Sequence, residues 1–159
     1  MTAPLTDGVR IERASPADAE ALLALIERAQ LPTGGLASHL EAAFVAREGE
    51  RIVGSAAIEV YEEGGLLRSV AVEADRRGTG LGAHLTGAAI EDAQRRALPA
   101  LYLLTTTAER FFPRFGFERI TRDDVPASVQ ASIEFREACP ASATVMRRWL
   151  SKGPETGGL

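Results

Sequence analysis

Residues 75–85 read "DRRGTGLGAHL", and no other stretch of the chain concentrates so much chemistry. Glycines at 78, 80 and 82 allow positive φ and let backbone N–H groups approach a ligand closely. A helix that starts at once adds orphan donors and the positive end of its dipole. With Arg76 and Arg77 in front, this combination suits a phosphate or pyrophosphate; the bland alternative is a strand-to-helix turn whose glycines only ease packing. The dinucleotide pattern G-x-G-x-x-G/A fits "GTGLGA" formally, but "EADRR" separates the glycines from the strand ending at Val72, and "LPALYLLTT" offers no carboxylate for a ribose. A nucleotide-triphosphate loop needs lysine followed by serine or threonine after its glycines, and Lys152 is the sole lysine.

The elements that must position this loop are legible from periodicity. Val9 to Arg13 alternates like a short strand. Ser15-Pro16 then gives an N-cap followed by proline at the first helical position, with Asp18 in the capping-box place. Ala19, Leu22, Leu23, Ile26 and Ala29 repeat at helical spacing until "LPTGG" breaks the helix, and "LASHLEA" predicts a second short helix. "AFVARE", "RIVGSAAIEVY" and "LLRSVAV", separated by turns at Gly49-Glu50 and "EEGG", predict a three-strand antiparallel meander ending at Val72. Leu81, Leu85, Ala88, Ala89 and Ala93 mark a long amphipathic helix, and "ALYLLTT" is strand-like. "AERFFPRFGF" predicts a short helix stopped near Gly116, "VPASVQAS" a helical turn or two, and "ATVMRRWL" a closing strand. We expect a mixed α/β fold in one domain over residues 1–152, with a frayed tail over 153–159.

Composition narrows the partners. The chain has 159 residues, 45% of them hydrophobic, enough for one ordinary core. A net charge of −4 and a pI near 5.3 lack the footprint of a nucleic-acid binder, so a small soluble ligand is the default partner. Cys139 is the single cysteine and His39 and His84 the only histidines, so no metal is expected. No basic segment precedes an apolar one and no run has the length of a bilayer span, which predicts a cytoplasmic protein without a membrane partner.

"LLRSVAVEADRRGTGLGAHL" resembles the central signature of the GNAT N-acetyltransferase superfamily, whose core R-x-x-G-x-G falls on Arg77, Gly80 and Gly82. The superfamily's order of elements matches the pass above over nearly the whole chain. The resemblance implies a mainly antiparallel mixed sheet flanked by helices, acetyl-coenzyme A as cofactor, and N–H groups of Arg77, Gly78, Thr79, Gly80, Leu81, Gly82 and Ala83 around its pyrophosphate. It also implies that Val70, Ala71 and Val72 pair with the pantetheine arm, one N–H there polarising the thioester carbonyl. "LYLLTTTAERFFPRFGF" and "EFREACP" look most like the arsenic-resistance N-acetyltransferases, and the "LTT…GF" part also resembles the catalytic domain of bacterial glutamate N-acetyltransferase. The finer resemblance implies transfer to the amine of a small amino acid or amino-acid-like compound, in arsenic or toxin resistance. The alternatives are a protein N-terminal acetyltransferase and a non-catalytic acyl-CoA sensor; a homodimer is a family-level expectation.

Direct transfer to an amine needs a base, a polarised carbonyl and a protonated leaving thiolate. Strict alternation along "RIVGSAAIEVY" places Val53, Ser55, Ala57, Glu59 and Tyr61 on one face. Glu59 is then a carboxylate near a strand end, able to accept the amine proton through water as glutamates at similar places do in the family, or to fix a substrate ammonium; its bland alternative is a solvated charge. The family's usual thiolate acid is a tyrosine, and here that position aligns with Phe112, expected in core packing and coenzyme contact. The chain has no asparagine for a further pantetheine contact, and Tyr61 or Tyr102 could replace the missing acid. Arg68 shares a face with Val70 and Val72 under strict alternation, making it a candidate for a substrate carboxylate or else an ion-pair partner. Thr105 and Thr106 offer hydroxyls toward substrate and coenzyme where the family opens its sheet. His39 is a candidate lid residue, and Cys139 is expected to be passive.

Overall fold

The computed structural model describes residues 3–4, 8–31, 33–131 and 143–150. Two strands, β1 (Ala3–Pro4) and β2 (Val9–Arg13), precede the first helix. The turn out of β2 is a capping box: the Ser15 N–H donates to Asp18 Oδ2 at 2.9 Å and the Asp18 N–H to the Ser15 carbonyl at 2.9 Å. Pro16 starts the 3₁₀ turn Pro16–Asp18 with its φ already set, and α1 follows over Ala19–Arg28. Asp18 also accepts from Arg47 Nη1 and Nη2 at 3.2 and 3.0 Å, while Arg47 Nε donates to Glu12 Oε2 at 2.5 Å. The Arg47 guanidinium holds the Asp18 carboxyl below the ordinary aspartate range against the opposing effect of burial.

The chain divides into two compact units, Met1–Ile58 with Ser69–Ala89 and Glu59–Arg68 with Ile90–Leu159. In the first, strands pair in the order β1-β2-β3-β4-β5, where β3 is Ala43–Glu48, β4 Arg51–Tyr61 and β5 Gly64–Val72, the expected meander. Leu22, Leu25 and Ile26 of α1 lose essentially all solvent contact against Leu36, Ala43, Val45, Ile52, Ala57 and Ala71. Each such side chain contributes about 1.5–3 kcal/mol of transfer free energy.

"LASHLEA" forms the expected second short helix as a 3₁₀ helix, Leu36–Ala42, entered from Gly35 at φ 79° and interrupted at His39. One expectation is corrected in this unit. Strict alternation fails on β4: Gly54 pairs with Ala46 but Ile52 with Arg47, so Val53 is an extra residue and Ile52 joins Ala57 in one core.

The second unit pairs strands in the order β4-β5-β6-β8-β7, with β6 at Ala100–Thr105, β7 at Glu118–Ile120 and β8 at Thr144–Trp149. β5 and β6 run parallel, with Gly65 opposite Leu101 and Leu66 opposite Tyr102, and the crossover that a parallel pair requires contains α2 (Leu81–Arg95). β8 lies antiparallel between β6 and β7. The three-residue β7 is too short to show a period and was not expected. Leu66, Ala100, Tyr102, Val125, Val129 and Val145 form this unit's core, Val129 coming from α3 (Ala127–Gln130). Gly64 holds φ +155°, and a Cβ there would meet the Ala100 carbonyl and the Tyr102 ring at 3.0 Å. Cys139, "EFREACP" and the tail over 153–159 lie outside the described residues.

Two outcomes follow for stability. A Cβ at Gly54 would stand 2.8 Å from Leu85 Cδ1 and 3.2 Å from the Ala71 carbonyl. Gly54→Ala therefore costs about 1–3 kcal/mol and lowers Tm by roughly 2–4 °C per kcal/mol for a chain of this size, read by calorimetry. Asp18→Asn costs on the order of 1 kcal/mol at neutral pH, as lost caps do. Because the folded carboxyl titrates below the ordinary aspartate value of 3.8, the Tm gap between wild type and Asp18→Asn is full above that pH and closes as pH falls beneath it.

Candidate active site

The glycine loop is built inside the first unit from a chain of arginine–carboxylate contacts. The Glu73 N–H continues the β4–β5 pairing by donating to the Val53 carbonyl at 2.9 Å, and Arg28 donates to the Glu73 carboxylate. A 3₁₀ turn, Ala74–Arg76, follows, in which Arg51 donates through both Nη atoms to Asp75 at 3.3 Å and holds that carboxyl below its ordinary range. Arg76 reaches back to Glu48, and its carbonyl accepts from Thr79 Oγ1 at 2.6 Å. The two arginines are thereby divided. Arg76 braces the turn, whereas Arg77 is exposed, with Nε donating to the Val72 carbonyl at 3.2 Å.

Gly78 and Gly80 sit at φ +81° and +85°, and a Cβ built on either meets nothing within 4 Å. Backbone conformation, not space, demands glycine there. α2 begins at Leu81, and the bond from the His84 N–H to the Gly80 carbonyl, at 3.1 Å, marks its first turn. The N–H groups of Leu81, Gly82 and Ala83 precede that bond and are the first-turn donors that a helix cannot satisfy internally. Open space over positive-φ glycines, helix-terminal donors and an exposed guanidinium together fit the pyrophosphate of a coenzyme. Beside the loop on β5, Val70 and Val72 are half-buried and Ala71 is buried.

The carboxylate of interest lies in the second unit. Glu59 and Arg68 have 2% and 0% of their side chains exposed, and Arg68 Nη1 donates to Glu59 Oε2 at 2.6 Å. Tyr61, on the same strand face two residues along, donates its hydroxyl to Glu59 Oε1. Glu59 is therefore neither a solvated strand-end charge nor open to bulk water. Burying it unpaired would be expensive, and the guanidinium and phenol make burial tolerable. Arg68 does not share a regular face with Val70 and Val72, because Ser69 between them takes φ +60° and interrupts the extended backbone. With no exposed surface, its guanidinium serves the glutamate, the ion-pair role.

Other candidates have settled surroundings. Thr105 Oγ1 accepts from the N–H groups of Thr107 and Ala108 at 3.3 and 2.8 Å, stopping β6 in a side-chain-capped turn, while Thr106 is exposed. Phe112 is buried, with ring centroids 5.0 Å from Phe111 and 5.8 Å from Phe117. Burial pushes the Tyr102 phenol up. His39 is half-buried in the 3₁₀ segment. What the sequence did not reveal is that Glu59, Arg68 and Tyr61 form one cluster; the available signal was two opposite charges on strands joined by a two-residue turn. Among the described residues, no group of three His, Cys, Asp or Glu side chains could hold a metal, and no helix is long and apolar enough to cross a membrane.

Comparison with known proteins bears on the fold. The N-acetylglutamate synthase of Neisseria gonorrhoeae, solved with coenzyme A and N-acetyl-glutamate, superposes with TM-score 0.78 at 20% identity over 91% of this chain. This chain spans 35% of that synthase. A Mycobacterium tuberculosis protein solved with CoA and NLQ gives TM-score 0.75 at 23% identity, covering 89% of this chain and 99% of the other. The Escherichia coli ribosomal-protein-S18-alanine N-acetyltransferase gives 0.70 at 20% identity, covering 95% and 99%. No curated protein sequence matches significantly. These likenesses show the fold, and a family model described as "Acetyltransferase (GNAT) domain" matches residues 39–119, from the 3₁₀ segment through the meander, glycine loop and α2 into β7. The chain belongs to that family.

Proposed function

We propose that the domain acetylates the amine of a small amino acid or amino-acid-like compound. The observation that carries the donor side is the open loop with Gly78 and Gly80 at positive φ ahead of α2. The acceptor class is supported by the likeness to the gonococcal synthase solved with N-acetyl-glutamate. It includes arsenical or other toxic analogues of glutamate, following the resemblance of "LYLLTTTAERFFPRFGF".

Acetyl-CoA, when bound, would supply an activated acetyl thioester whose C–S bond breaks as the amine nitrogen takes the acetyl group, the sulfur leaving as the thiolate. The chain's residues hold and orient. N–H groups from Arg77 to Ala83 grip the diphosphate, Val70 to Val72 line the acyl arm, and Thr106 and Phe112 complete the coenzyme contacts. His39 and Thr105 belong to the acceptor side. Glu59, held in place by Arg68, works through Tyr61: the phenol oxygen takes the amine proton as its own passes to Glu59 Oε1. Phe112 has no proton to donate, and a thiolate is a fair leaving group without one. The likeness to the Escherichia coli enzyme, which spans nearly the whole of both chains, favours a protein N-terminus as the second acceptor reading.

CoA release measured across amino acids, phosphinate and arsinate glutamate analogues, polyamines and short peptides names the acceptor; acceleration by peptides alone selects the second reading. If no amine accelerates release while acetyl-CoA binds, the domain is a sensor. Glu59→Gln lowers kcat by about 10²–10⁴ with CoA affinity retained, but it also destabilises by removing the charge that pairs Arg68. Tyr61→Phe keeps the ion pair and removes only the phenol donor to buried Glu59 Oε1, about 1–3 kcal/mol against about 3–5 for breaking a buried pair, so its kcat loss arrives with a smaller Tm loss than that of Glu59→Gln; unchanged kcat would end the relay. Gly80→Ala imposes about 1–2 kcal/mol of left-handed strain and weakens CoA binding roughly tenfold in calorimetry, whereas Gly87→Ala, where a Cβ also meets nothing, leaves it unchanged.

A further inference from the structure

One buried serine has no part in the roles above. Ser55 on β4 is 1% exposed, and its hydroxyl donates to the Ser69 carbonyl on β5 at 2.7 Å. Ser69 is itself 7% exposed and holds φ +60° inside a strand, a conformation that costs a non-glycine residue about 1–2 kcal/mol. Strain of that kind persists where surrounding contacts over-determine it. The Ser69 carbonyl and the Val70 N–H belong to one planar trans peptide unit and point in opposite directions. A hydroxyl that fixes the carbonyl therefore also fixes the N–H. It further polarises the peptide, strengthening that N–H as a donor by about 10–30%. Val70 is half-buried, the first of the three residues assigned to the acyl arm.

We propose that Ser55 is a positioning residue for acetyl transfer: by holding the Ser69 carbonyl it aims the Val70 N–H at the thioester carbonyl oxygen. The proposal rests on the placement of the acyl arm along Val70 to Val72 under the proposed function. Ser55 touches neither reactant. It acts through the peptide it holds, so its loss should spare binding of the diphosphate end and affect the acyl end.

The test uses the full chain with [1-¹³C]acetyl-CoA and with CoA. In wild type, infrared difference spectra should place the bound carbonyl band below its frequency in water, and the Val70 amide proton should move downfield when acetyl-CoA replaces CoA. In Ser55→Ala the band should return toward its solution position and kcat should fall about 10–100-fold, less than outright loss of an oxyanion donor. CoA affinity should hold within about twofold, and Ser55→Thr, which keeps the hydroxyl, should restore part of the band shift. An unshifted wild-type band, or an unmoved Val70 amide, overturns the proposal even if Ser55→Ala fails to fold. A Ser55→Ala protein that keeps the wild-type band and kcat also overturns it. Failure of wild type to bind CoA at all removes the acyl-arm placement beneath it, which is a separate result from an unshifted band in a bound complex.

Discussion

The hairpin of β4 and β5 is organised by a charge pair withdrawn from water. A carboxylate and a guanidinium with almost no exposed surface can be tolerated only if each finds the other and the remaining lone pairs find donors. At Glu59 both oxygens are engaged, one by Arg68 and one by Tyr61. That requirement fixes the register of the hairpin more tightly than apolar pairing would. A slip of one residue would turn Glu59 and Arg68 to opposite faces and leave two buried charges unpaired. Such a pair adds little net stability against an apolar alternative; its contribution is to make misregistered hairpins costly.

Two of the positive-φ settings in this chain contrast. At Gly78 and Gly80 positive φ occurs in open space on glycines, so the backbone can present its donors with no side chain in front of them. At Ser69 it occurs on a residue that prefers otherwise, inside a strand, with Ser55 holding the carbonyl. The first is a choice of residue and the second a constraint imposed by packing. Their legibility differs accordingly: glycine spacing is visible in any sequence, whereas a left-handed serine leaves no compositional trace.

The same distinction explains what the sequence disclosed. The meander, the loop and α2 follow from local signals, alternation and helical period, which physics ties directly to one face of one element. The capping box at Ser15 and Asp18 is equally local. What was hidden depends on pairing between elements: the bulge at Val53 that shifts the β4 faces, the conversion of Arg68 from a candidate ligand into the partner of Glu59, and a three-residue β7 that exists because β8 offers it an edge. Arg76 and Arg77 could not be told apart by type or position. Glu48, far along the chain, decides that the first is structural.

Electrostatics at the loop must be local, because the chain as a whole is acidic, with a net charge of −4. A polyanionic coenzyme gains nothing from the long-range field of such a protein, and salt would screen what steering remained. Around the loop, Arg28, Arg51 and Arg76 are each engaged with a carboxylate, Glu73, Asp75 and Glu48. These pairs neutralise acids that would otherwise repel a diphosphate, while their cations are already committed. Under the proposed function, attraction at close range falls to Arg77 and to the backbone donors at the head of α2. Fixed dipoles of that kind need no counterion release and no side-chain ordering at the moment of binding, which suits a loop that must hold the coenzyme in one orientation rather than merely attract it.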